Sequence, residues 1–347
     1  MKSSEQPGTP GDRTSPSALP SPDSALRTPH SAVDAPGALP GRGCPVCGAA
    51  EGPGWLQKAD LRLARCARCS MVYAAPVPAA FASGRYYEQV GTEYYLSAAK
   101  LEGDYAPERF ERELRLFRKH CRRGRVLDVG CSSGAFLFHL KGRFPGDYEV
   151  FGTDVSGAPL DYAESRGIPV VRGDFPGQDF GGRQFEAVSF WAVLEHLAEP
   201  RSFLERAWPA LKPDGVCFVL VPNLRSLAMR LLGARWRYVY PQHLNYFTQA
   251  TLRRLVEERF FVVETRFMHF NPVVIWQDWR RRGAEVSNVE RAALLKRTSA
   301  WKQNRWLKPL KGLYRLAELA LGTFGLADNV AMVLRKKPGG TANLLTE

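Results

Sequence analysis

The stretch Val126–Ala135, VLDVGCSSGA, constrains this chain more than any other. Hydrophobic strand residues and an acid, Asp128, run into a turn holding Gly130 and Gly134, and a helix-like run, AFLFHLK, follows. Strand, glycine turn and helix open a βαβ unit, in which a small ligand lies against the helix N-terminus. The dinucleotide pattern Gly-x-Gly-x-x-Gly falls on Gly130, Ser132 and Ala135, so two of its three glycines are missing. The phosphate loop Gly-x4-Gly-Lys-Ser/Thr is not matched either: three residues separate the glycines and no Lys follows. Both the dinucleotide and the triphosphate readings weaken.

Residues 125–223 alternate between strand and helix patterns. Strand candidates are RVLDVG, YEVFGTDV, PVVRGD, FEAVSFWAV and VCFVLVPN, with helical AFLFHLK, APLDYAESRG and EPRSFLERAWPALKP between some of them. The strand runs are continuously apolar, as in a parallel sheet covered on both faces. A connector (224–247), a helix in TQATLRRLVEERF and a strand in VVETRFMHF follow. A basic helical insertion (276–325) precedes a last strand, NVAMVLRKK. The expected organisation is a Pro/Ser/Gly-rich disordered tail (1–42), a cysteine module (43–75), an aromatic-rich cap and helix (76–123), an α/β domain (124–337) and a short tail (338–347). No run approaches the roughly 18 apolar residues of a spanning helix. The N-terminal residues lack the apolar core of a signal peptide, so a cytoplasmic location is expected.

Two Cys-x-x-Cys pairs, Cys44/Cys47 and Cys66/Cys69, stand 18 residues apart. Each can form a knuckle presenting two thiolates, and two knuckles complete a tetrahedron for a structural Zn²⁺. Disulfides are the alternative, and they suit an exported chain. Cys121, Cys131 and Cys217 lie in or near core elements and read as buried apolar residues.

The glycine turn, with Asp128, Gly130, Ser132 and Gly134, resembles motif I of the class-I S-adenosylmethionine (SAM) dependent methyltransferases. The resemblance continues in order over about 120 to 337, apart from the basic insertion. FGTDVS places Asp154 where that family's acid holds the ribose hydroxyls. RGDF places Asp174 where its Asp meets the adenine amino group. FEAVSFWAVLEHLAEP and ALKPDGVCFVLVPN match the fourth strand and the turn into the fifth. The resemblance implies a Rossmann-like, seven-stranded SAM methyltransferase fold, flanked by a small zinc-ribbon module and interrupted by the helical C-terminal insertion. Trp191 is expected to wall the cofactor pocket. Ser132 stands where the motif often has Gly.

Amino-methylating nucleic-acid enzymes of this fold commonly carry Asn/Asp-Pro-Pro-aromatic after the fourth strand. SFWAV here argues against an exocyclic base amine as acceptor, and so against nucleic acid as a partner. Tyr240-x-x-His243-x-x-Tyr246-Phe247 resembles a motif of zinc-containing deoxysugar C-methyltransferases, and four-cysteine knuckles occur among sugar and polysaccharide methyltransferases. Gln242 stands where the C-methyltransferases have Glu. VLEHLAEP resembles quinone O-methyltransferases. These resemblances imply a small acceptor, a sugar or glycoconjugate methylated on a hydroxyl or carbon. An RNA acceptor, or a quinone or lipid acceptor at a membrane surface, are the alternatives. His243 is expected as base, Tyr240 as the residue orienting the acceptor, and His196 near the cofactor's methyl end.

The formal charge of the whole chain is +13. Residues 278–337 carry 14 Lys/Arg against five Asp/Glu. Between 306 and 324, Trp306, Leu310, Leu313, Tyr314, Ala317, Leu321 and Phe324 recur at helical spacing, with Lys308, Lys311, Arg315 and Glu318 opposite. Such a stripe either packs on the domain or docks on the inner face of an anionic membrane.

Overall fold

In the computed structural model, the described residues are 41–77, 81, 85–282, 284, 286–287, 290–291, 293 and 308–338. Residues 1–40 and 339–347, in the two expected tails, and 294–307 of the insertion, Trp306 included, lie outside them, as do the side chains of Lys308, Leu310, Lys311 and Leu313.

The Cys44/Cys47 knuckle leads into two of three short antiparallel strands, β1 (Gly54–Lys58) and β2 (Leu61–Arg65), and the Cys66/Cys69 knuckle joins β2 to β3 (Val72–Ala74). A cap follows: α1 (Arg85–Val90), a π-helical turn (Gly91–Tyr95), α2 (Ala98–Asp104) and α3 (Glu111–His120). The α/β domain then runs β4 (Gly124–Val129), α4 (Ala135–Arg143), β5 (Tyr148–Asp154), α5 (Gly157–Ser165), β6 (Val170–Arg172), β7 (Phe185–Trp191), α6 (Pro200–Ala210) and β8 (Leu211–Pro222). After β8 come α7 (Leu227–Leu232), the two-residue β9 (Asn245–Tyr246), α8 (Gln249–Val256), β10 (Phe260–Met268), α9 (Pro272–Arg281), α10 (Lys308–Thr323) and β11 (Asn329–Lys336).

Seven strands form one sheet in the order β10-β11-β8-β7-β4-β5-β6. β6, β5, β4, β7 and β8 are parallel, and β11 is antiparallel to both β8 and β10. After β4 the chain builds β5 and β6 on one side, then returns to add β7 on the other. This reversal opens a crevice at the carboxyl ends of β4 and β7, where ligands bind in open α/β sheets.

The continuous apolar strands are buried on both faces. Along β8, Cys217, Val219 and Val221 enter one core, while Val216, Phe218 and Leu220 enter the other. The first core also receives Cys44, Val46, Cys66, Met71 and Tyr73, so the cysteine module is built into the domain's own interior. β3 continues this attachment by pairing with β9 through Val72–Tyr246 and Tyr73–Asn245. Cys121, Cys131 and Cys217 are all buried.

The insertion differs from the expected stripe. Glu318, assigned by its spacing to the solvent side, is buried against the domain, and both its oxygens pair with Arg112 of α3. Leu316, Leu319 and Phe324 face solvent. Spacing finds the period of a helix but not which side meets the protein. Here an Arg from a distant segment supplies a partner for a buried carboxylate, and that outweighs covering leucines.

Candidate active site

The glycine turn is held in shape by its own backbone. Gly130 and Cys131 donate to the Thr153 carbonyl at 2.7 and 3.1 Å. Gly130 has φ +71°, and a Cβ there would meet Val193 Cγ2 at 2.6 Å, so only glycine fits. Ser132 also takes a positive φ, +49°, which is uncommon outside glycine and costs about 1 kcal/mol. Asp154 secures that conformation: its carboxylate accepts from Ser132 N at 2.9 Å and from Ser156 N at 3.0 Å. Tyr105, at the end of α2, donates to the Ser133 carbonyl at 2.6 Å.

Beside this turn lies a cavity of about 340 Å³. Asp128, Gly130, Ser132, Asp154 and Trp191 all line it. Asp174 does not, although its neighbours Gly173 and Phe175 do; Gly134 is set back as the N-cap of α4. Asp128 is buried and accepts from Ser189 Oγ at 2.6 Å. Burial, eased by that bond, pushes its carboxyl up to about 7. Ser132 Oγ and Trp191 Nε1 are buried with no hydrogen-bond partner. Such orphans are rare in a finished core and suit a wall that receives a polar ligand. Glycine where a ligand must approach the backbone closely, an acid at the end of the second strand, and unsatisfied polar atoms in residues that line the cavity all fit SAM.

Another part of the cavity wall is built by the cap, the turn after β7 and the connector. Tyr87, Tyr94, Tyr95, His196, Tyr240 and Gln242 line it. His196 Nδ1 lies 2.9 Å from the Gln242 carbonyl oxygen and 3.0 Å from the Tyr87 hydroxyl. A carbonyl can only accept, so Nδ1 carries the proton and Nε2 keeps its lone pair. His243 is not on the cavity wall. Its ring stands behind, at 4.7 Å from that of His196 and 4.4 Å from that of Tyr240. His243 Nδ1 and Glu195 Oε2 are buried without partners. Glu195, His196 and His243 each bring one potential ligand atom, a ring nitrogen or a carboxylate oxygen, to within 4.8 Å of the others.

Burial sets the charge state of this cluster. It lowers the His196 imidazole to about 4, and it lowers His243 well below the usual range, with His196 and Arg291 adding to the effect. Burial raises Glu195 to about 8. At neutral pH the trio therefore holds two uncharged imidazoles and a mostly protonated carboxyl. The Arg291 guanidinium stacks on the Tyr240 ring at 4.1 Å and donates to the Arg237 carbonyl at 2.8 Å.

Sequence reasoning missed Glu195, Tyr87 and Arg291. Glu195 adjoins His196 in VLEHL and was open to notice. Tyr87 belongs to a tyrosine-rich segment expected to cover the domain's mouth, but nothing local says which tyrosine meets which histidine.

The cysteine module supports this part of the cavity wall. Both knuckles have the same backbone form: Gly48 N donates to the Cys44 carbonyl and Ser70 N to that of Cys66, each at 2.9 Å, with Gly48 and Ser70 at positive φ. The four thiols are free of disulfides and interleave, Cys44 Sγ 3.4 Å from Cys69 Sγ and Cys47 Sγ 3.5 Å from Cys66 Sγ. Four sulfurs about 2.3 Å from one central ion would stand slightly farther apart, so the set fits a tetrahedral metal with little movement. Just before the module, Arg42 bonds the Ala198 carbonyl and, at 2.9 Å, Asn245 Oδ1. Asn245 Nδ2 in turn donates to the Leu194 and Leu197 carbonyls at 2.8 and 2.7 Å, on either side of His196.

Comparison with known proteins agrees with this geometry. Residues 103–265 match a family model described as a methyltransferase domain. A ubiquinone biosynthesis O-methyltransferase of Cereibacter sphaeroides is 32% identical over 120 residues, covering 32% of this chain and 47% of that protein. One from Ruegeria pomeroyi is 31% identical over 175 residues, covering 44% of this chain and 66% of that protein. The chain thus spans about half the length of the first relative. The crystal structure of a SAM-dependent methyltransferase from Archaeoglobus fulgidus aligns with a TM-score of 0.45 at 20% identity, covering 72% of this chain and 100% of that one. Residues 103–265 match a methyltransferase domain, and the seven-stranded sheet they help to build has the Rossmann-like fold of the SAM-dependent methyltransferases.

Proposed function

We propose that the protein transfers a methyl group from SAM to a hydroxyl of a small acceptor, a sugar or glycoconjugate, held between the glycine turn and the His196–Tyr240 part of the cavity wall. One observation carries the reading: a single cavity joins a cofactor-type wall, Asp128 to Ser132 with Asp154, to a wall bearing an uncharged imidazole. SAM supplies an already activated methyl on a sulfonium, so the protein's task is positioning and removal of one proton. Asp154 takes the ribose hydroxyls, and the Asp128 side of the turn lies along the rest of the cofactor. His196 Nε2 receives the acceptor's proton, and its Nδ1–H bond to Gln242 fixes the ring. The Gln242 carbonyl, accepting from Nδ1–H, steadies the imidazolium that results, with the His243 ring edge-on behind it. Tyr240 and Tyr87 orient the acceptor. The four cysteines hold one structural Zn²⁺ with no open position, and the module braces the loop that carries His196.

The names of the curated relatives favour a second reading, a phenolic hydroxyl of a quinone precursor. Transfer from labelled SAM to a panel of nucleotide-linked sugars, glycan fragments and catechols separates the two. Turnover confined to catechols would replace the sugar reading. A protein whose melting temperature does not move with millimolar SAM would remove both.

A further inference from the structure

Both described helices of the insertion, α9 and α10, turn their acid inward and large apolar side chains to solvent. On a soluble surface helix the apolar stripe faces the core and the charges face water. In α9 the inward residues are Val274 and Asp278, and Asp278 accepts from Arg237 N at 2.9 Å and Nε at 2.8 Å. The outward arc holds Val273, Trp276 and Trp279, which are 51–59% exposed. α10 repeats the arrangement: Glu318 points inward to Arg112, while Leu316 and Leu319 are each 65% exposed and Phe324, just past the helix, is 78% exposed. Exposed apolar side chains of this size, gathered on two helices, mark an interaction surface.

Charge says what kind. Asp278 and Glu318 are the only acids of α9 and α10, and both are turned inward and paired. Among the described side chains of these helices and their ends, the exposed charges are Arg280, Arg282 and Arg315, all cationic. Arg280 lies over the Trp276 ring at 4.8 Å, an aromatic–cation pair suited to the level of lipid headgroups. No helix among the described residues is long and apolar enough to cross a membrane, so the fitting mode is attachment in the plane of the interface.

Position completes the argument. β11 is antiparallel to β8 and β10 is antiparallel to β11, so β10 points the same way as β8. α9 follows the end of β10 and α10 precedes the start of β11, so both attach at the end of the sheet where the crevice opens. We propose that α9 and α10 form a docking face for an anionic bilayer, seating the cavity end of the sheet toward the membrane and giving access to lipid-linked acceptors. The docking itself goes beyond the methyl-transfer reading and does not depend on it; only the access to acceptors rests on that reading.

Flotation of the purified full-length protein with vesicles of phosphatidylcholine and phosphatidylglycerol tests it, beside vesicles of phosphatidylcholine alone. Wild type should float with the anionic vesicles and far less with the neutral ones. Trp276→Ser/Trp279→Ser and Leu316→Ser/Leu319→Ser should each lower the bound fraction at least about tenfold, since apolar burial and charge act together. These side chains are exposed, so neither pair should lower the melting temperature, and stabilisation by SAM should persist. Wild type that stays at the bottom with both vesicles, or variants that float like wild type, would overturn the proposal. So would a wild-type dimer in solution that the Trp pair converts to monomer, because the face would then belong to a second copy.

Discussion

Asp154→Asn separates the two roles that the structure gives to one carboxylate. Its two oxygens accept from Ser132 N and Ser156 N, tying the glycine turn to the end of β5. The amide is almost the same shape but keeps a single acceptor oxygen, so one of these bonds is lost and an NH₂ is set against a backbone N–H. A hydrogen bond to a charged group contributes about 1.5–3 kcal/mol, and loss of one sets the upper range of the damage. Burial already raises the Asp154 carboxyl above its ordinary value, and replacing it with a neutral group removes that penalty. The net fall in stability should be only about 1–2 kcal/mol. SAM should suffer more, because a ribose diol donating two bonds to a carboxylate loses charge assistance in both. About 3 kcal/mol corresponds to a weakening on the order of 10²-fold. Calorimetric titration with SAM, beside thermal melting without ligand, reads both effects. A SAM affinity within about threefold of wild type, with the melting temperature lowered as expected, would show that Asp154 shapes the turn without touching the cofactor.

Three further outcomes follow from the same geometry. His196→Ala should lower turnover by on the order of 10²–10⁴ with SAM affinity little changed, and His243→Ala should cost less because its ring stands off the cavity wall; the reverse order in single-turnover rates would make His243 the base. The folded pKa of His196, about 4, lies below the unfolded value near 6.5, so its neutral form persists as pH falls and kcat/KM should show no acid limb from this group between about pH 7 and 5, while the stability tied to its burial is lost progressively below about 6.5; a limb centred near 6.5 that disappears in His196→Gln would contradict the burial. Cys66→Ser should abolish binding of one zinc per chain, as read by metal analysis, and should also lower turnover through the Arg42–Asn245 brace; full activity in a zinc-free, folded variant would detach the module from the site.

What the amino-acid order determines on its own is whatever is local. The run Val126–Ala135 needs glycines at particular places because the backbone there turns into the left-handed region, and that requirement is visible without a partner. The apolar strand runs announce a sheet covered on both faces, because a strand's side chains alternate at a fixed period. The paired cysteines are legible for the same reason: each knuckle closes within a few residues. What the tertiary structure alone decides is which distant groups meet. Tyr87 and His196 are 109 residues apart, and Arg112 and Glu318 are 206 apart. Their pairing sets which imidazole faces the cavity and which face of a helix is turned to water. A helical period fixes that two faces exist; only the partner across the fold, here a cation able to satisfy a buried acid, determines which of them the protein keeps.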